Sequence, residues 1–322
     1  MGDTKIEWTD ATWNPIRGCS VVSEGCRNCY AMTVAARFSG KGPDGKDLPY
    51  AGLAYRNESG AHWTGKVRLI EEHLNDPLKW RKPKRVFVNS MSDLFHESIP
   101  DEWIVAIFRV MEASTARRHS FQILTKRPQR MLDFISKRNR TNPHLCPAEN
   151  IWLGVSVEDQ KTADERIPLL LETPAAVRWV SAEPLLGPVD FTNLRGGTFN
   201  VLDGIDFENI GDIRDAGILS KSDIPSLDWA VVGGESGLGA RVMRVDWARS
   251  IIQQCQAAGV PVFMKQVGRY PSGDPGEFLT TGDTWQSKDE LEGGPVLQSR
   301  KGGNVEEWPK DLQVREFPKA VA

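Results

Sequence analysis

Short apolar runs rich in β-branched residues recur along the chain and predict strands. They lie at 86–90, 121–125, 151–156, 177–181, 229–233 and 260–265. Between them, apolar residues at helical spacing predict helices at 101–116, 127–137, 161–171 and 246–258. Strands that alternate with helices at intervals of about 30 residues are typical of βαβ units, so we expect a parallel sheet with right-handed crossovers.

A further strand at 13–17 would precede these six. The sequence then predicts an α/β fold, a full or partial parallel β/α (TIM-like) barrel over residues 1–268. The Gly- and Pro-rich stretch 40–65 predicts a loop excursion, and the acidic stretch 190–227 predicts a loop-rich surface insertion. Residues 269–322 predict an irregular C-terminal extension that packs on the barrel.

Composition indicates an ordinary globular protein. The chain has 322 residues, of which 40% are hydrophobic, enough for a sizeable core. No stretch approaches the roughly 20 apolar residues of a membrane span, and the N-terminus lacks the apolar segment of a signal peptide. We therefore expect a cytoplasmic protein without a membrane partner. Five cysteines in no disulfide-like spacing agree with a reducing compartment.

Charge is distributed unevenly along the chain, although the net charge is only −3. Residues 79–140 contain 14 Lys and Arg against 6 Asp and Glu, whereas residues 149–228 contain 6 against 15. The basic segment is long enough to form a polyanion-binding surface. The alternative interpretation is that these charges lie on solvated helix faces and loop ends.

Three of the five cysteines, Cys19, Cys26 and Cys29, form a C-x6-C-x2-C motif. Three thiolates in one short loop can hold a soft metal centre. A [4Fe–4S] cluster held in this way keeps one iron open for a small ligand. A zinc knuckle with a fourth ligand from elsewhere and a loop without metal are the alternatives. Structural zinc prefers four protein ligands, and the nearest histidine, His62, is distant in the chain. Both facts weigh against the zinc knuckle.

A helix is predicted to begin directly after the last cysteine of the motif. Ala31, Val34, Ala35 and Phe38 follow Cys29 at helical spacing. The amides and the positive dipole end of such a helix favour thiolates and anionic ligands. We therefore expect its N-terminus to face the metal site.

Polar residues follow the predicted strands at their carboxyl ends, where a barrel carries its active site. They are Ser90, Asp93, Lys126, Arg127, Ser156, Glu158, Glu183, Glu235 and Lys265. Interiors of covered parallel strands are apolar, so this gathering predicts a site above the cysteine loop. The structural alternatives are helix N-caps and ion pairs, for example between Lys126–Arg127 and Glu158.

The cysteine loop on a repeated β/α chain resembles the radical S-adenosylmethionine (SAM) superfamily. More closely, the chain resembles a phage- and bacteria-associated family of unknown function. The matching stretches are 8–19, 89–96, 124–128, 152–159, 181–187 and 233–236. Two features depart from the superfamily pattern. Its commonest cysteine motif is C-x3-C-x2-C, and its Gly-Gly-Glu follows the second strand, whereas here Gly-Gly-Glu follows the sixth.

The resemblance implies a mechanism. Cys19, Cys26 and Cys29 would each bind one iron of a [4Fe–4S] cluster, and SAM would chelate the fourth. One electron from the cluster would cleave SAM to a radical that takes a hydrogen atom from the substrate.

The resemblance also distributes roles among the other candidate residues. The backbone from Asn28 to Tyr30 would meet the adenine, Ser90 or Asp93 the SAM amine, and Ser156 or Glu158 the ribose. The residues expected to face the substrate are Lys126, Arg127, Glu183, Glu235 and Lys265. An electron donor would be a required partner.

The basic segment favours a nucleobase or nucleic acid as the substrate. Trp63, Trp80 and Trp103 lie in or near that segment and would stack on bases, or else belong to the core. The alternative function is a non-catalytic zinc- or cluster-containing module that binds nucleic acid or a protein partner. A barrel that binds a sugar phosphate without redox chemistry is a third hypothesis.

Overall fold

A seven-stranded parallel sheet flanked by helices forms the centre of the fold. The computed structural model describes residues 4–143, 147–196, 199–203, 205–206, 225–237, 239–274, 277–278, 284–285 and 294–319. The sheet contains β1 (Ala11–Trp13), β2 (Arg85–Val88), β3 (Ser120–Thr125), β4 (Ile151–Val157), β5 (Val177–Ala182), β6 (Trp229–Gly233) and β7 (Val262–Gln266), in that order. Spatial order therefore follows chain order. The α/β class is confirmed, and this order is consistent with a partial β/α barrel.

Helices follow the strands where the apolar periodicity predicts them. The described helices are α1 (Tyr30–Arg37), α2 (Glu71–Leu74), α3 (Asp101–Glu112), α4 (Pro128–Thr141), α5 (Gln160–Glu172) and α6 (Val245–Ala258). The four long predicted helices are confirmed as α3 to α6, with ends displaced by a few residues. Gly259 ends α6 in the left-handed conformation with φ of 72°, as a C-terminal glycine does.

Short strand pairs lie outside the main sheet. Ile16–Arg17 with Arg68–Leu69, Ala54–Asn57 with Gly60–Trp63, Phe199–Asn200 with Ile205–Asp206, and Thr284–Trp285 with Gly294–Pro295 are antiparallel. Met243–Arg244 and Pro271–Ser272 are parallel. Single 3-10 turns occur at Glu24–Cys26, Asp76–Lys79, Val305–Glu307 and Lys310–Leu312.

The chain divides into two compact units, chiefly residues 1–155 with 173–176, and residues 156–172 with 177–320. In the first unit, the helix α3 buries Ile104, Ile107, Phe108 and Met111, which share one face because they recur at helical spacing. In the second unit, all five residues of β6 are buried. Strands covered on both faces are apolar throughout, which explains why the sequence predicted them so clearly.

The first strand lies two residues earlier than the sequence predicted. β1 pairs with β2 through Ala11 to Trp13, whereas Ile16–Arg17 pairs with a different strand. Pro15 lies between the two segments. Proline has no backbone N–H and interrupts a sheet ladder, so the strand ends before it. The cysteine loop still follows the first strand.

The two predicted loop-rich stretches differ from the expectation in part. Within 40–65, the chain forms the hairpin Ala54–Asn57 and Gly60–Trp63, and Tyr50 and Leu53 are buried beside it. Within 190–227, Phe191, Leu194 and Val201 are fully buried, so this part of the insertion is packed rather than a surface excursion. The sequence offers two apolar pairs, 218–219 and 224–225, as anchors of this insertion, and they lie wholly or partly outside the described residues.

The C-terminal segment pairs with β7 at the edge of the sheet. The Met264 amide donates to the Val314 carbonyl at 2.8 Å, and the Glu316 amide donates to the Val262 carbonyl at 2.9 Å. The Trp229 indole donates to the Glu316 carbonyl, and Phe317 packs on Trp229. Residues 314–317 therefore continue the sheet with an antiparallel segment.

Candidate functional site

The cysteine loop runs from Gly18 to Cys29, between Ile16–Arg17 and α1. Gly18 has a φ of 96°, and a Cβ there would lie 2.1 Å from the Lys66 carbonyl oxygen, so only glycine fits. The Cys26 amide donates to the Ser23 carbonyl, and the Cys29 amide donates to the Cys26 carbonyl. The helix α1 then begins at Tyr30, as predicted. The loop thus places Cys26 and Cys29 on consecutive turns directly ahead of a helix N-terminus, whereas Cys19 lies in the irregular segment before these turns.

All three thiols of the loop are free and half-buried, and desolvation is the main influence on the pKa of Cys19 and of Cys29. Burial raises the pKa of Cys19 to about 12, the Asp93 carboxylate adds to the rise, and the Arg127 guanidinium opposes it. Burial also raises the pKa of Cys29, whereas the nearby amides of Met32 and Ala31 favour its thiolate. Cys19 and Cys29 are therefore neutral unless a cation compensates their burial.

The cysteine loop offers three sulfur donors for a metal centre. Within the described residues, no group of three or more His, Cys, Asp or Glu side chains is arranged to hold a metal ion. The chemistry of the loop nevertheless fits a thiolate-bound centre, because it combines three sulfur donors with helix amides that favour thiolate. Cys255 is buried in α6, and Cys146 lies outside the described residues.

Ser20 anchors the cysteine loop to the end of β3 and the segment after β2. Its hydroxyl oxygen accepts from Arg127 Nη2 at 2.7 Å and lies 2.9 Å from His96 Nε2. Nδ1 of His96 accepts from the Ser98 amide, so the neutral ring donates to Ser20 through Nε2. Burial and then Arg127 lower the pKa of His96, which keeps the ring neutral. Neither Ser20 nor His96 was among the predicted site residues.

Asp93 is almost fully buried, and its carboxylate accepts hydrogen bonds from several segments of the first unit. Its Oδ1 accepts from the Phe95 amide at 2.9 Å and from the Thr125 hydroxyl at 2.7 Å. Its Oδ2 accepts from the Lys126 amide at 3.1 Å and from Arg127 Nη1 at 3.0 Å. Four donors from the protein therefore hold the carboxylate that was a candidate for the SAM amine.

Arg127 is 7% exposed, although it was expected to face a substrate. Nε donates to Glu97 at 2.7 Å, Nη1 to Asp93, and Nη2 to Ser20. Burial disfavours its charge, but Asp93 and Glu97 raise the pKa of Arg127 above its ordinary value. The guanidinium is therefore a charged internal clamp. Lys126 lies beside it, and its charge favours the thiolate of Cys29.

The predicted SAM-contacting residues of the loop lie at the start of α1. Asn28 is exposed, and Tyr30 is 49% exposed. The Tyr30 hydroxyl donates to the Ser90 carbonyl at 2.7 Å, and the Ser90 hydroxyl donates to Asn14 Oδ1 at 3.2 Å. The first unit thus joins the start of α1 to the end of β2 through Tyr30 and Ser90, both of which were predicted as site residues.

In the second unit, Ser156 and Glu158 are buried at the end of β4. The Ser156 hydroxyl donates to the Glu183 carbonyl at 3.0 Å. Arg166 Nη1 donates to the Ser156 carbonyl at 2.7 Å and to Glu158 Oε1 at 3.1 Å. Arg166 was not predicted as a site residue. The feature of the sequence that could have indicated its contact with Glu158 is its position on α5, eight residues later.

Glu183 and Lys265 form an ion pair in the second unit, at the ends of β5 and β7. Lys265 Nζ donates to Glu183 Oε1 at 2.5 Å, and Gln266 Nε2 donates to the same oxygen at 3.3 Å. The side chain of Glu183 is 19% exposed, and that of Lys265 is 15% exposed. Gly233 lies between them on β6, and a Cβ there would be 3.4 Å from Glu183 Cδ. The Glu183–Lys265 pair therefore joins the ends of β5 and β7 across β6.

Glu235 follows β6 and is held by one basic residue. Its Oε2 accepts from the Arg241 amide at 2.8 Å and from Arg241 Nε at 3.1 Å, and its Oε1 accepts from Arg241 Nη2. This two-pronged pair fixes the carboxylate of the Gly-Gly-Glu stretch. Sequence reasoning did not select Arg241.

Many charges of the basic segment 79–140 are neutralised by acidic neighbours. Pairs join Lys79 to Asp76, Arg85 to Asp10, Lys137 to Asp101, and Arg138 to Glu112. Two of the three tryptophans pack on protein rings, Trp63 near Tyr50 and Trp80 edge-on to His119. The polyanion surface stays a prediction. Among the described residues, no helix is both long enough and apolar enough for a membrane span.

Comparison with known proteins identifies a family of unknown function. A family described as a protein of unknown function, DUF5131, matches residues 3–307. No curated protein and no solved structure matches the chain.

Proposed function

The chain belongs to the DUF5131 family, and we propose that it is a radical SAM enzyme that acts on a nucleobase or nucleic acid. In this proposal Cys19, Cys26 and Cys29 hold a [4Fe–4S] cluster. When bound, the cluster and SAM supply the one-electron chemistry that removes a hydrogen atom from the substrate.

The observation that carries the proposal is the construction of the cysteine loop. It carries three free thiols within one loop, the last of them directly before α1, and burial makes Cys19 and Cys29 poor thiolates by themselves. Such thiols gain most from a bound cationic centre, because metal coordination compensates the charge that burial penalises. The amides of α1 and the charge of Lys126 favour the same ionised state.

SAM binding is assigned to groups that border the loop. Ser90 offers a hydroxyl and Tyr30 an exposed ring at the start of α1, and Asn28 precedes them with an exposed amide. These are candidates for the amine and the adenine. The carboxylate of Asp93 already accepts four hydrogen bonds, so Ser90 is the stronger candidate for the amine.

Substrate chemistry is assigned to Lys126, Glu183, Glu235 and Lys265, and the ribose of SAM to Ser156 or Glu158. The Glu183–Lys265 pair is partly exposed, and its members hold a proton donor and an acceptor at fixed positions. Such a pair can orient a substrate and exchange a proton with it.

Anaerobic reconstitution with iron and sulfide tests the proposal. We expect about four irons per chain, as in a [4Fe–4S] centre, and 5′-deoxyadenosine from SAM with dithionite. Cys26→Ala should abolish both, whereas Cys255→Ala, a buried cysteine outside the loop, should retain both. One zinc per chain without iron or SAM cleavage would contradict the proposal and favour the non-catalytic binding module.

Binding of DNA and RNA tests the substrate class separately. We expect binding that weakens steeply with salt, because phosphate contacts release counterions. Wild-type protein that forms its cluster and cleaves SAM but binds neither nucleic acid nor nucleosides at low salt would refute the substrate class alone.

A further inference from the structure

We propose that Arg127 is a positioning residue of the metal centre, which fixes the segment that carries Cys19 and places a buried positive charge beside that ligand. The inference rests on the proposed function, since it concerns a cluster bound to Cys19. It assigns Arg127 to the metal centre, away from the substrate role that its position after β3 suggested.

The guanidinium and the Cys19 thiol converge on one backbone carbonyl. Arg127 Nη2 lies 2.7 Å from Ser20 Oγ and 3.5 Å from the Ser20 carbonyl oxygen. The Cys19 thiol lies 3.5 Å from the same carbonyl oxygen. Ser20 directly follows Cys19, so a displacement of the guanidinium would move the backbone that sets the direction of the thiol.

Arg127 is itself fixed from two sides. Its amide donates to the Thr125 hydroxyl at 2.9 Å, and it directly precedes Pro128, the first residue of α4. Asp93 and Glu97 hold Nη1 and Nε of its side chain. Each nitrogen of the guanidinium is bound by protein, which is typical of an internal clamp and not of an arginine that captures a soluble ligand.

The charge of Arg127 also acts on the thiol. The guanidinium is buried and reaches the same carbonyl oxygen as the Cys19 thiol, so its positive charge attracts negative charge that develops at this ligand. The same attraction stabilises a cluster that has gained an electron, because a reduced cluster carries one more negative charge. Loss of the guanidinium charge should therefore make reduction of the cluster harder. Loss of the hydrogen bonds of the guanidinium alone, with the charge retained, should make the cysteine loop more mobile.

Three variants separate charge from geometry. Arg127→Gln removes the positive charge. Arg127→Lys keeps the charge but lacks the several donors of the planar guanidinium, and Ser20→Ala removes the hydroxyl that Arg127 contacts. Arg138→Gln is the matched control, because Arg138 forms a buried pair with Glu112 between α3 and α4 in the same unit. The measurements are the midpoint potential of the reconstituted cluster without SAM, and the rate of iron release to a chelator.

We expect Arg127→Gln to lower the reduction equilibrium constant at least tenfold, which is 59 mV for a one-electron couple. Arg127→Lys and Ser20→Ala should retain the potential but release iron several-fold faster. Arg138→Gln should lower only the melting temperature.

Equal potentials in wild type and Arg127→Gln would overturn the proposal, and so would equal shifts in Arg127→Gln and Arg138→Gln. If Arg127→Gln does not fold, Ser20→Ala decides, and a wild-type rate of iron release there refutes the positioning role. A wild-type protein that binds no iron would refute the proposed function instead.

Discussion

Replacement of Asp93 by alanine should destabilise the first unit more than any exposed charge mutation there. Asp93 is 6% exposed and joins β2, β3 and the start of α4 through one carboxylate. Its partners are the amides of Phe95 and Lys126, the hydroxyl of Thr125 and the guanidinium of Arg127. Alanine leaves all four donors without this acceptor.

The magnitude follows from the contacts that are lost. Removal of one member of a buried ion pair costs about 3–5 kcal/mol, and the lower end applies because Glu97 still holds Nε of Arg127. Each buried donor that loses its acceptor costs about 1 kcal/mol or more. All of these contacts are made by the one carboxylate of Asp93, so their energies do not add fully. We therefore expect the free energy of unfolding to fall by about 4 kcal/mol.

Urea or thermal unfolding of the metal-free protein measures this loss. A unit of this size should melt about 8–16 °C lower, at about 2–4 °C per kcal/mol. Asp101→Ala is the control, because Asp101 also pairs with two basic residues, Arg130 and Lys137, but its side chain is 54% exposed. It should lose less than about 1 kcal/mol. The reasoning fails if the two variants lose equal stability.

Three further predictions concern other parts of the molecule. Glu183→Gln or Lys265→Met should lower substrate turnover about 100-fold with iron content unchanged, measured by product analysis. Tyr30→Phe should weaken SAM binding several-fold in calorimetry without loss of iron. Burial lowers the pKa of His119, so near pH 6.5 only the unfolded chain takes up a proton at this residue. As the pH falls from 7 to 5, the free energy of unfolding of the wild type should therefore decrease by up to about 1.4 kcal/mol per pH unit. His119→Phe should lack this decrease, and urea melts at each pH measure the difference.

Sequence reasoning predicted the elements that are determined by local chemistry. β4 and β6 are continuous apolar runs because both faces are covered, and α3 and α6 show one apolar face. The helix start after Cys29 was predicted from the same periodicity and is confirmed. The predicted position of β1 was wrong because this strand is only three residues long and gives little pattern, and because Pro15 interrupts the predicted run.

The arrangement within the candidate site was less predictable. Arg127 and Ser20 are 107 positions apart, and no local pattern indicates that they meet. The partners of Glu158 and Glu235, by contrast, lie eight and six residues ahead in the chain, within reach of a local search. The sequence shows which polar residues end the strands, but the allocation of each between structure and chemistry depends on tertiary contacts.

The C-terminal segment that pairs with β7 also determines how the protein behaves toward other chains. An uncovered edge strand offers unpaired N–H and C=O groups to any extended polypeptide, and β7 is rich in apolar residues that would sustain such an association. Residues 314–316 occupy these groups within the same molecule. A chain shortened before residue 310 should therefore self-associate as its concentration rises, even where its melting temperature changes little.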